Sequence, residues 1–353
     1  MIITIGGKQA ESLSFEVKQG EKLLHGALRN RLAIPYECAT GTCGTCRAKL
    51  ISGDLDQCWD DAPGRKALKV DRGEFLMCQC EAQSNCEIRI PSQVTVHPQE
   101  TTVPALMACS LSDCKMLTPD VMSFSVSLED KVQFMAGQYM LLQLPEIEGT
   151  RAYSMVNYAT LTDKLEFVIK HLKGGKCSQW LFDPPEDATE VTLFGPLGHA
   201  VFEPQLEHDL LLLAGGSGIA GMMAILTQAD QIGYLSNNSI DLIFGVRAQT
   251  DIFYLSELSR LCEKYPDTLQ ITIALSDVAP EAEPVDLSDK ISDSKNLIIA
   301  SGGFVHQHID ASRTSANTMA FIAGPPPMVD ASIRELIANC EFAVDRIRYD
   351  KFG

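Results

Sequence analysis

The chain has 353 residues, of which 45% are hydrophobic and 21% charged, with twelve cysteines and a formal net charge of −17. That length exceeds what one hydrophobic core organises, so two or three domains are expected, and the composition is that of an ordinary soluble globular protein. The acidic balance argues against a nucleic-acid partner, which needs a positive footprint.

Met1 leads directly into Ile2–Ile5, which reads as a strand rather than a secretory leader. A second strand is expected at Leu13–Val17, then a helix over Lys22–Asn30 feeding a cysteine-rich loop, with further strand-like runs at Lys49–Ile51 and Glu87–Ile90. A polar stretch bracketed by Pro91 and Pro104 reads as a linker. Short alternating runs follow at Ser123–Leu128, Tyr139–Leu144, Arg151–Val156, Leu165–Lys170 and Val191–Phe194, and their close spacing predicts a small antiparallel barrel. The rhythm then changes. Leu210–Ala214, Ile240–Val246, Leu269–Leu275 and Thr318–Ala323 are apolar runs separated by helical stretches, the pattern of βαβ units around a parallel sheet. Leu210–Thr227 approaches membrane-spanning length, but Gly215-Gly216-Ser217-Gly218 splits it into a strand and a helix, so no span is expected. Domains are therefore expected at 1–97, 98–203 and 204–353. The first is charge-neutral, with twelve basic and twelve acidic side chains; the others carry seven against fourteen and ten against twenty.

Three cysteines fall within nine residues, Cys38-Ala39-Thr40-Gly41-Thr42-Cys43-Gly44-Thr45-Cys46, and Cys78 follows after a further 31. This C-x4-C-x2-C spacing with a distant fourth cysteine is that of plant-type 2Fe–2S ligands, in which four thiolates hold two irons. Gly41 and Gly44 suit a loop that wraps three sulfurs around one cluster, because tight turning needs positive φ and no Cβ. Structural zinc usually pairs two short cysteine hooks, and only one is present; buried free cysteines are the other alternative. Cys80 competes with Cys78 for the fourth place. Cys58, Cys86, Cys109, Cys114, Cys262 and Cys340 read as thiols without a chemical role. The seven histidines form no H-x-E or H-E-x-x-H pattern, so no further metal site is expected. A cytoplasmic location follows from thiolate ligation, which favours a reducing compartment.

A nucleotide signal lies in the third segment. Gly216, Gly218 and Gly221 satisfy G-x-G-x-x-G between a strand and a helix. Such glycines let backbone N–H groups approach a pyrophosphate at the positive end of a helix. Alone the motif is weak, since a glycine-rich turn after a buried strand is often only a tight turn. Asp241 has the spacing of a ribose partner but sits near the start of its strand, whereas ligands bind at the carboxyl ends. Gly324-Pro325-Pro326-Pro327-Met328 ends another apolar strand at the same sheet edge.

With these stretches in place, the chain resembles over essentially its whole length the reductase component of bacterial multicomponent oxygenases, built on the ferredoxin–NADP reductase fold. The cysteine pattern resembles their N-terminal ferredoxin domain, and Arg151-Ala152-Tyr153-Ser154 their R-x-[YF]-[ST] flavin signature. Gly175-Lys176-Cys177-Ser178 resembles the second flavin element, and Gly195-Pro196-Leu197-Gly198 the barrel-closing turn. Gly215 to Ile219 and Gly324 to Met328 resemble the two pyridine-nucleotide motifs. Trp59-Asp60-Asp61-Ala62-Pro63-Gly64 and the ending Arg348-Tyr349-Asp350-Lys351-Phe352 resemble the toluene and phenol monooxygenase reductases in particular.

The resemblance implies a multidomain α+β architecture: a β-grasp 2Fe–2S domain, a six-stranded antiparallel FAD β-barrel and an α/β parallel-sheet NAD-binding domain. It implies electron transfer from NADH through FAD and the cluster to the oxygenase component of a di-iron monooxygenase. A Rieske dioxygenase is the alternative acceptor, and a flavin/iron–sulfur redox sensor the alternative class. Arg151 would pair with the FAD pyrophosphate, Tyr153 pack on the isoalloxazine, and Ser154 hydrogen-bond near N5, which makes Tyr153 and Ser154 the catalytic residues. Lys170, Gly175, Lys176, Cys177 and Ser178 would complete the flavin site. Gly215, Gly216, Ser217, Gly218, Arg247, Gly324, Pro325, Met328 and Phe352 would serve the nucleotide and flavin; Cys38, Cys43, Cys46 and Cys78 would hold the metal. Gly221 replaces the family's usual proline, Ala323 a cysteine that often precedes G-P-P, and Lys170 an arginine, so bidentate contact with flavin phosphate is lost there. Arg247 is the one cation in Gly245–Asp251, and Asp251 opposes a 2′-phosphate, which favours NADH over NADPH. Ala39–Thr45 holds no charged side chain, so the acceptor is expected to dock over a neutral rim.

Overall fold

The structure is a computed structural model that describes residues 1–6, 12–184, 190–278, 296–299 and 302–351. Two compact units divide the chain. One comprises Met1–Met107, Met140–Ala152 and Thr192–Leu197; the other comprises Ala108–Tyr139, Tyr153–Val191 and Gly198–Gly353.

The first segment is a mixed sheet with one helix. Its strands are β1 (Ile2–Gly6), β2 (Leu13–Glu16), β3 (Arg47–Ser52), β5 (Glu74–Leu76) and β7 (Cys86–Arg89), in the order β2-β1-β7-β3-β5; β4 (Leu55–Gln57) pairs separately with β6 (Cys80–Ala82). Period-two alternation drives β1, where Ile3 and Ile5 are buried and Ile2 is exposed. The helix α1 (Leu23–Arg29) buries Leu23, Leu24, Ala27 and Leu28 on one face, the 3.6-residue stripe of a helix packed on a core.

The middle segment is a six-stranded sheet. Its strands are β8 (Ala105–Thr118), β9 (Val121–Val132), β10 (Tyr139–Gln143), β11 (Arg151–Ser154), β12 (Thr162–Lys170) and β13 (Glu190–Leu197), in the order β11-β10-β13-β8-β9-β12. Just beyond β11, Val156 N–H donates to the Glu166 carbonyl of β12 at 2.8 Å. The helix α2 (Lys176–Phe182) follows β12.

The third segment holds an all-parallel sheet, ordered β17-β16-β15-β14-β18-β19, from β14 (Asp209–Gly215), β15 (Ile240–Val246), β16 (Leu269–Leu275), β17 (Leu297–Ile299), β18 (Thr318–Gly324) and β19 (Ile347–Lys351). Helices α3 (Ile219–Gln231), α4 (Leu255–Lys264) and α5 (Pro326–Ala338) cover it. Alternate residues of β14 serve opposite cores: Leu210, Leu212 and Ala214 join α3 and α4, whereas Leu211 and Leu213 join α5. Burial on both faces explains why β14 and β18 read as continuous apolar runs. Within this sheet every described carboxyl strand end lies on one edge, where the glycine turns fall.

Candidate functional site

The cysteine loop folds as its spacing requires. Gly41 and Gly44 adopt φ of +89° and +84°, and Ala39 joins them at +54°. Cys38 and Cys43 Sγ atoms stand 3.2 Å apart, and Cys46 and Cys78 Sγ atoms 3.3 Å apart. No three metal-binding groups converge on a single ion position among the described residues. Four sulfurs in two close pairs are instead a donor set suited to two irons, so these residues fit a 2Fe–2S centre. Hydrogen bonding with Cys43, backed by the Thr40 and Cys43 backbone N–H groups, brings the Cys38 thiol down to about 4. Its partner is pushed up in turn, as is Cys78 by Cys46. Within each pair one thiol therefore gives up its proton more readily than the other.

Cys78 and Cys80 part company because the backbone changes type between them. Cys78 lies in the short turn Met77–Gln79, and Cys80 starts β6, where it pairs with Gln57. The Cys80 thiol donates to Gln57 Oε1 at 3.2 Å, and burial pushes it up to about 12. Two residues not singled out in the sequence brace the loop. Gln79 Nε2 donates to Cys78 Sγ at 3.7 Å. Gly64 N–H donates to Gly41 C=O at 2.9 Å, and a Cβ on Gly64 would meet Gly44 N at 2.7 Å. The strap Pro63–Ala67 therefore lies directly on the loop, with Cys43 left exposed. Ala62-Pro63-Gly64, which opens the strap, is the turn signal that could have marked it.

On β11, Arg151 is exposed and donates to its neighbour Thr150 C=O at 2.9 Å, while Ser154 is buried. Tyr153 meets Phe124 edge-on at 6.3 Å, and its hydroxyl lies 3.5 Å from Cys177 Sγ, so the two flavin signatures converge. Ser178 Oγ accepts from Leu172 N–H at 3.1 Å and lies 3.0 Å from Gly175 O, which fixes the turn entering α2; Lys176 is exposed. Gly221 of α3 faces Ser154, since a Cβ there would come within 3.7 Å of Ser154 Cβ.

The two nucleotide motifs pack backbone to backbone. A Cβ on Gly215 would lie 2.6 Å from Met328 Sδ and 3.1 Å from Pro325 Cδ, and one on Gly218 would lie 2.3 Å from Ala323 O. Gly216 has φ of +54°, and Ser217 is half-buried beside it. Gly324 is pressed against Gly215, its Cβ position 3.2 Å from Gly215 Cα. Only glycines allow this approach, which leaves a cradle of backbone at the carboxyl edge. Asp241 is ion-paired with Arg313 instead. Arg247 follows β15 at the ligand edge, with Nη2 2.8 Å from Asp120 Oδ2 and Nε 2.9 Å from Asp251 Oδ2. Lys170 Nζ reaches the same Asp120 oxygen at 3.3 Å. Burial raises the Asp120 pKa, but Lys170, Thr118 and Arg247 together bring it below the ordinary value. No sequence motif marks Asp120, which comes from the β8–β9 turn. Phe352 lies outside the described residues.

Models of three known families match successive parts of the chain. Residues 4–83 match the 2Fe-2S iron-sulfur cluster binding domain, 108–202 the oxidoreductase FAD-binding domain and 212–333 the oxidoreductase NAD-binding domain. A ferredoxin–NAD(P)(+) reductase of Metapseudomonas resinovorans is 30% identical over 338 residues, covering 94% of this chain and 95% of its own. The ferredoxin–NAD(+) reductase component of an alkene monooxygenase system of Xanthobacter autotrophicus is 29% identical, covering 96% and 98%. Phenol 2-monooxygenase reductase component of a Pseudomonas species is 26% identical, covering 94% and 89%. Among solved structures, the ferredoxin reductase in carbazole 1,9a-dioxygenase superposes with a TM-score of 0.78 at 27% identity, covering 100% of this chain and 99% of that one.

Proposed function

Because the chain belongs to the ferredoxin–NAD(P)(+) reductases that join a 2Fe–2S domain to FAD- and NAD-binding domains, we propose that it passes electrons from NADH to the oxygenase component of a multicomponent monooxygenase. When bound, the three groups supply a hydride donor, a carrier that takes two electrons and releases them singly, and a one-electron centre. The single observation that carries the reading is the presence in one chain of two close thiol pairs, the Tyr153–Cys177 flavin contact and the interlocked glycine turns. On this reading residues 1–97 hold the cluster, 98–203 the flavin and 204–353 the nucleotide.

The residues' own work is placement. Arg151 would balance the flavin phosphates, the Gly175–Cys177 backbone would shape their turn, and Tyr153 with Ser154 would meet the ring where hydride arrives; Lys170, paired with Asp120, would join them only once that pair opens. Gly215–Gly218 and Gly324 would bring backbone N–H groups to the nucleotide pyrophosphate, with Pro325 and Met328 packed against Gly215. NADH is favoured over NADPH because Arg247 is already engaged by Asp120 and Asp251, and both carboxylates would oppose a 2′-phosphate. A location in the cytoplasm belongs to the same reading; among the described residues no helix is long and apolar enough to cross a membrane. The acceptor docks over the uncharged loop at Cys43, so its reduction should depend weakly on salt.

The test is reduction of purified acceptors. A di-iron hydroxylase component should be reduced rapidly by NADH in the presence of this protein. The likeness to the carbazole 1,9a-dioxygenase reductase supports a second reading, with a Rieske oxygenase as acceptor, and faster reduction of that partner would replace the first.

A further inference from the structure

Asp120 lies between β8 and β9, and its own turn holds it in place. Thr118 Oγ1 donates to Asp120 Oδ1 at 3.1 Å, and the His171 N–H donates to the Asp120 C=O at 2.7 Å. The other carboxylate oxygen, Oδ2, meets Arg247 Nη2 at 2.8 Å and Lys170 Nζ at 3.3 Å. Lys170 ends β12, the strand that packs beside the Gly216–Gly218 turn. Arg247 follows β15, whose Gly245 is paired with Gly215 of β14. All of these residues belong to one compact unit.

One carboxylate therefore neutralises two cations beside the nucleotide turn. Arg247 is engaged again through Nε by Asp251 at 2.9 Å, and the Asp277 carboxylate, just past β16, acts on it as well. Two cations thus face three carboxylates, so the side chains offer a phosphate no spare positive charge. Sites for anionic ligands ordinarily present an uncompensated positive potential. Here that attraction is left to the backbone N–H groups of the glycine turn. The contacts are not equally fixed. Asp120 is anchored by its turn, whereas the Arg247 side chain is exposed, and exposed ion pairs hold weakly. Lys170 stays on Asp120 when Arg247 departs, so the carboxylate is not left unpaired.

From this arrangement we propose that Asp120 is a positioning residue that competes with the nucleotide's phosphates for Arg247, yielding the guanidinium to the incoming dinucleotide and taking it back as the dinucleotide leaves. The inference rests on the nucleotide role proposed above for this edge. Binding then exchanges one ion pair for another instead of adding a new one. Asp120 accordingly lowers affinity and speeds release of the oxidised nucleotide. No covalent bond changes and no proton moves.

The experiment is calorimetric titration of the FAD-loaded protein with ADP-ribose, which carries the phosphates and lacks the nicotinamide. Asp120→Asn should bind it about threefold tighter or more, the effect of removing one exposed ion pair. A residue that merely braced the fold would give weaker binding when replaced. Asp120→Glu, which keeps the charge, should bind as wild type does. Salt provides a second readout that needs no variant. Wild-type affinity should hold steady between low and physiological salt because the number of ion pairs is conserved, whereas that of Asp120→Asn should fall. Unchanged or weaker binding by Asp120→Asn, equal tightening by Asp120→Glu, or a steep loss of wild-type affinity with salt overturns the competitor role. A wild-type protein that binds neither ADP-ribose nor NADH overturns the nucleotide reading of this edge instead.

Discussion

Replacing Gly64 by alanine isolates the contribution of the strap over the cysteine loop. Gly64 is not among the glycines with positive φ, so alanine introduces no backbone strain and space alone decides. Its Cβ would fall 2.7 Å from Gly44 N and 2.9 Å from Gly41 O, both backbone atoms of the ligand loop that cannot rotate away. Overpacking of this kind costs about 1–3 kcal/mol. Moving the strap also weakens the 2.9 Å Gly64–Gly41 hydrogen bond, a further loss of about 0.5–1.5 kcal/mol. The sum, about 1.5 kcal/mol at its low end, corresponds to roughly twelvefold faster release of the cluster. The assay is the decay of visible absorbance in the presence of an iron chelator. Ala67→Ser, at an exposed site of the same turn, is the control and should decay as wild type does. If Gly64→Ala keeps the wild-type half-life, the strap does not support the loop and the reasoning from its close approach is wrong.

Three further outcomes are expected. Cys78→Ser should lose iron while Cys80→Ser, whose thiol is turned to Gln57, keeps two irons per chain; the reverse result in iron analysis would reassign the fourth ligand. Burial holds His25 down to about 4, with Glu21 opposing and Lys22 reinforcing, so the unfolded chain binds this proton first as pH falls. Its contribution is complete above about pH 6.5 and is lost toward pH 4, amounting to about 1.4 kcal/mol by pH 5.5; a denaturation series in which His25→Phe tracks wild type between pH 7.5 and 5.5 would refute this. Gly218→Ala, with its Cβ 2.3 Å from Ala323 O, should weaken NADH binding about tenfold or more with FAD content unchanged, as read by calorimetry; unaltered affinity would remove Gly218 from the nucleotide cradle.

What the sequence disclosed followed the strength of its periodicity. The four long strands of the parallel sheet were legible because both faces are buried, and Ile240–Val246 and Leu269–Leu275 match the observed bounds. β8 escaped notice although it has fourteen residues. Its register shifts between Ser112 and Lys115, where Asp113 adopts φ of +51°, so the alternation that identifies a strand is broken mid-way. β19 escaped for another reason: Ile347–Lys351 is half-buried and charged, and a parallel neighbour supplies what its own composition does not. β11 ends two residues before the run Arg151–Val156 does, because Met155 and Val156 are apolar yet lie beyond the strand.

The site divided in the same way. Ligand spacing and glycine turns are local, so the cysteine loop and the Gly215–Gly218 turn announce themselves. Gly64 and Asp120 act through partners distant in sequence, 23 residues from Gly41 in the case of Gly64 and 127 from Arg247 in that of Asp120. No spacing rule reaches that far. Ser178 shows the converse: its motif pointed to a phosphate contact, and its hydroxyl lies within hydrogen-bond distance of Leu172 and Gly175 in the turn itself.

Anaerobic titration of the purified protein with NADH, followed by optical and electron paramagnetic resonance spectra, tests the electron path most directly. The expected result is bleaching of one flavin per chain together with the resonance of a reduced 2Fe–2S centre that vanishes in Cys78→Ser. Flavin bleaching with no such resonance in the wild-type protein would contradict the path from NADH through FAD to the cysteine loop.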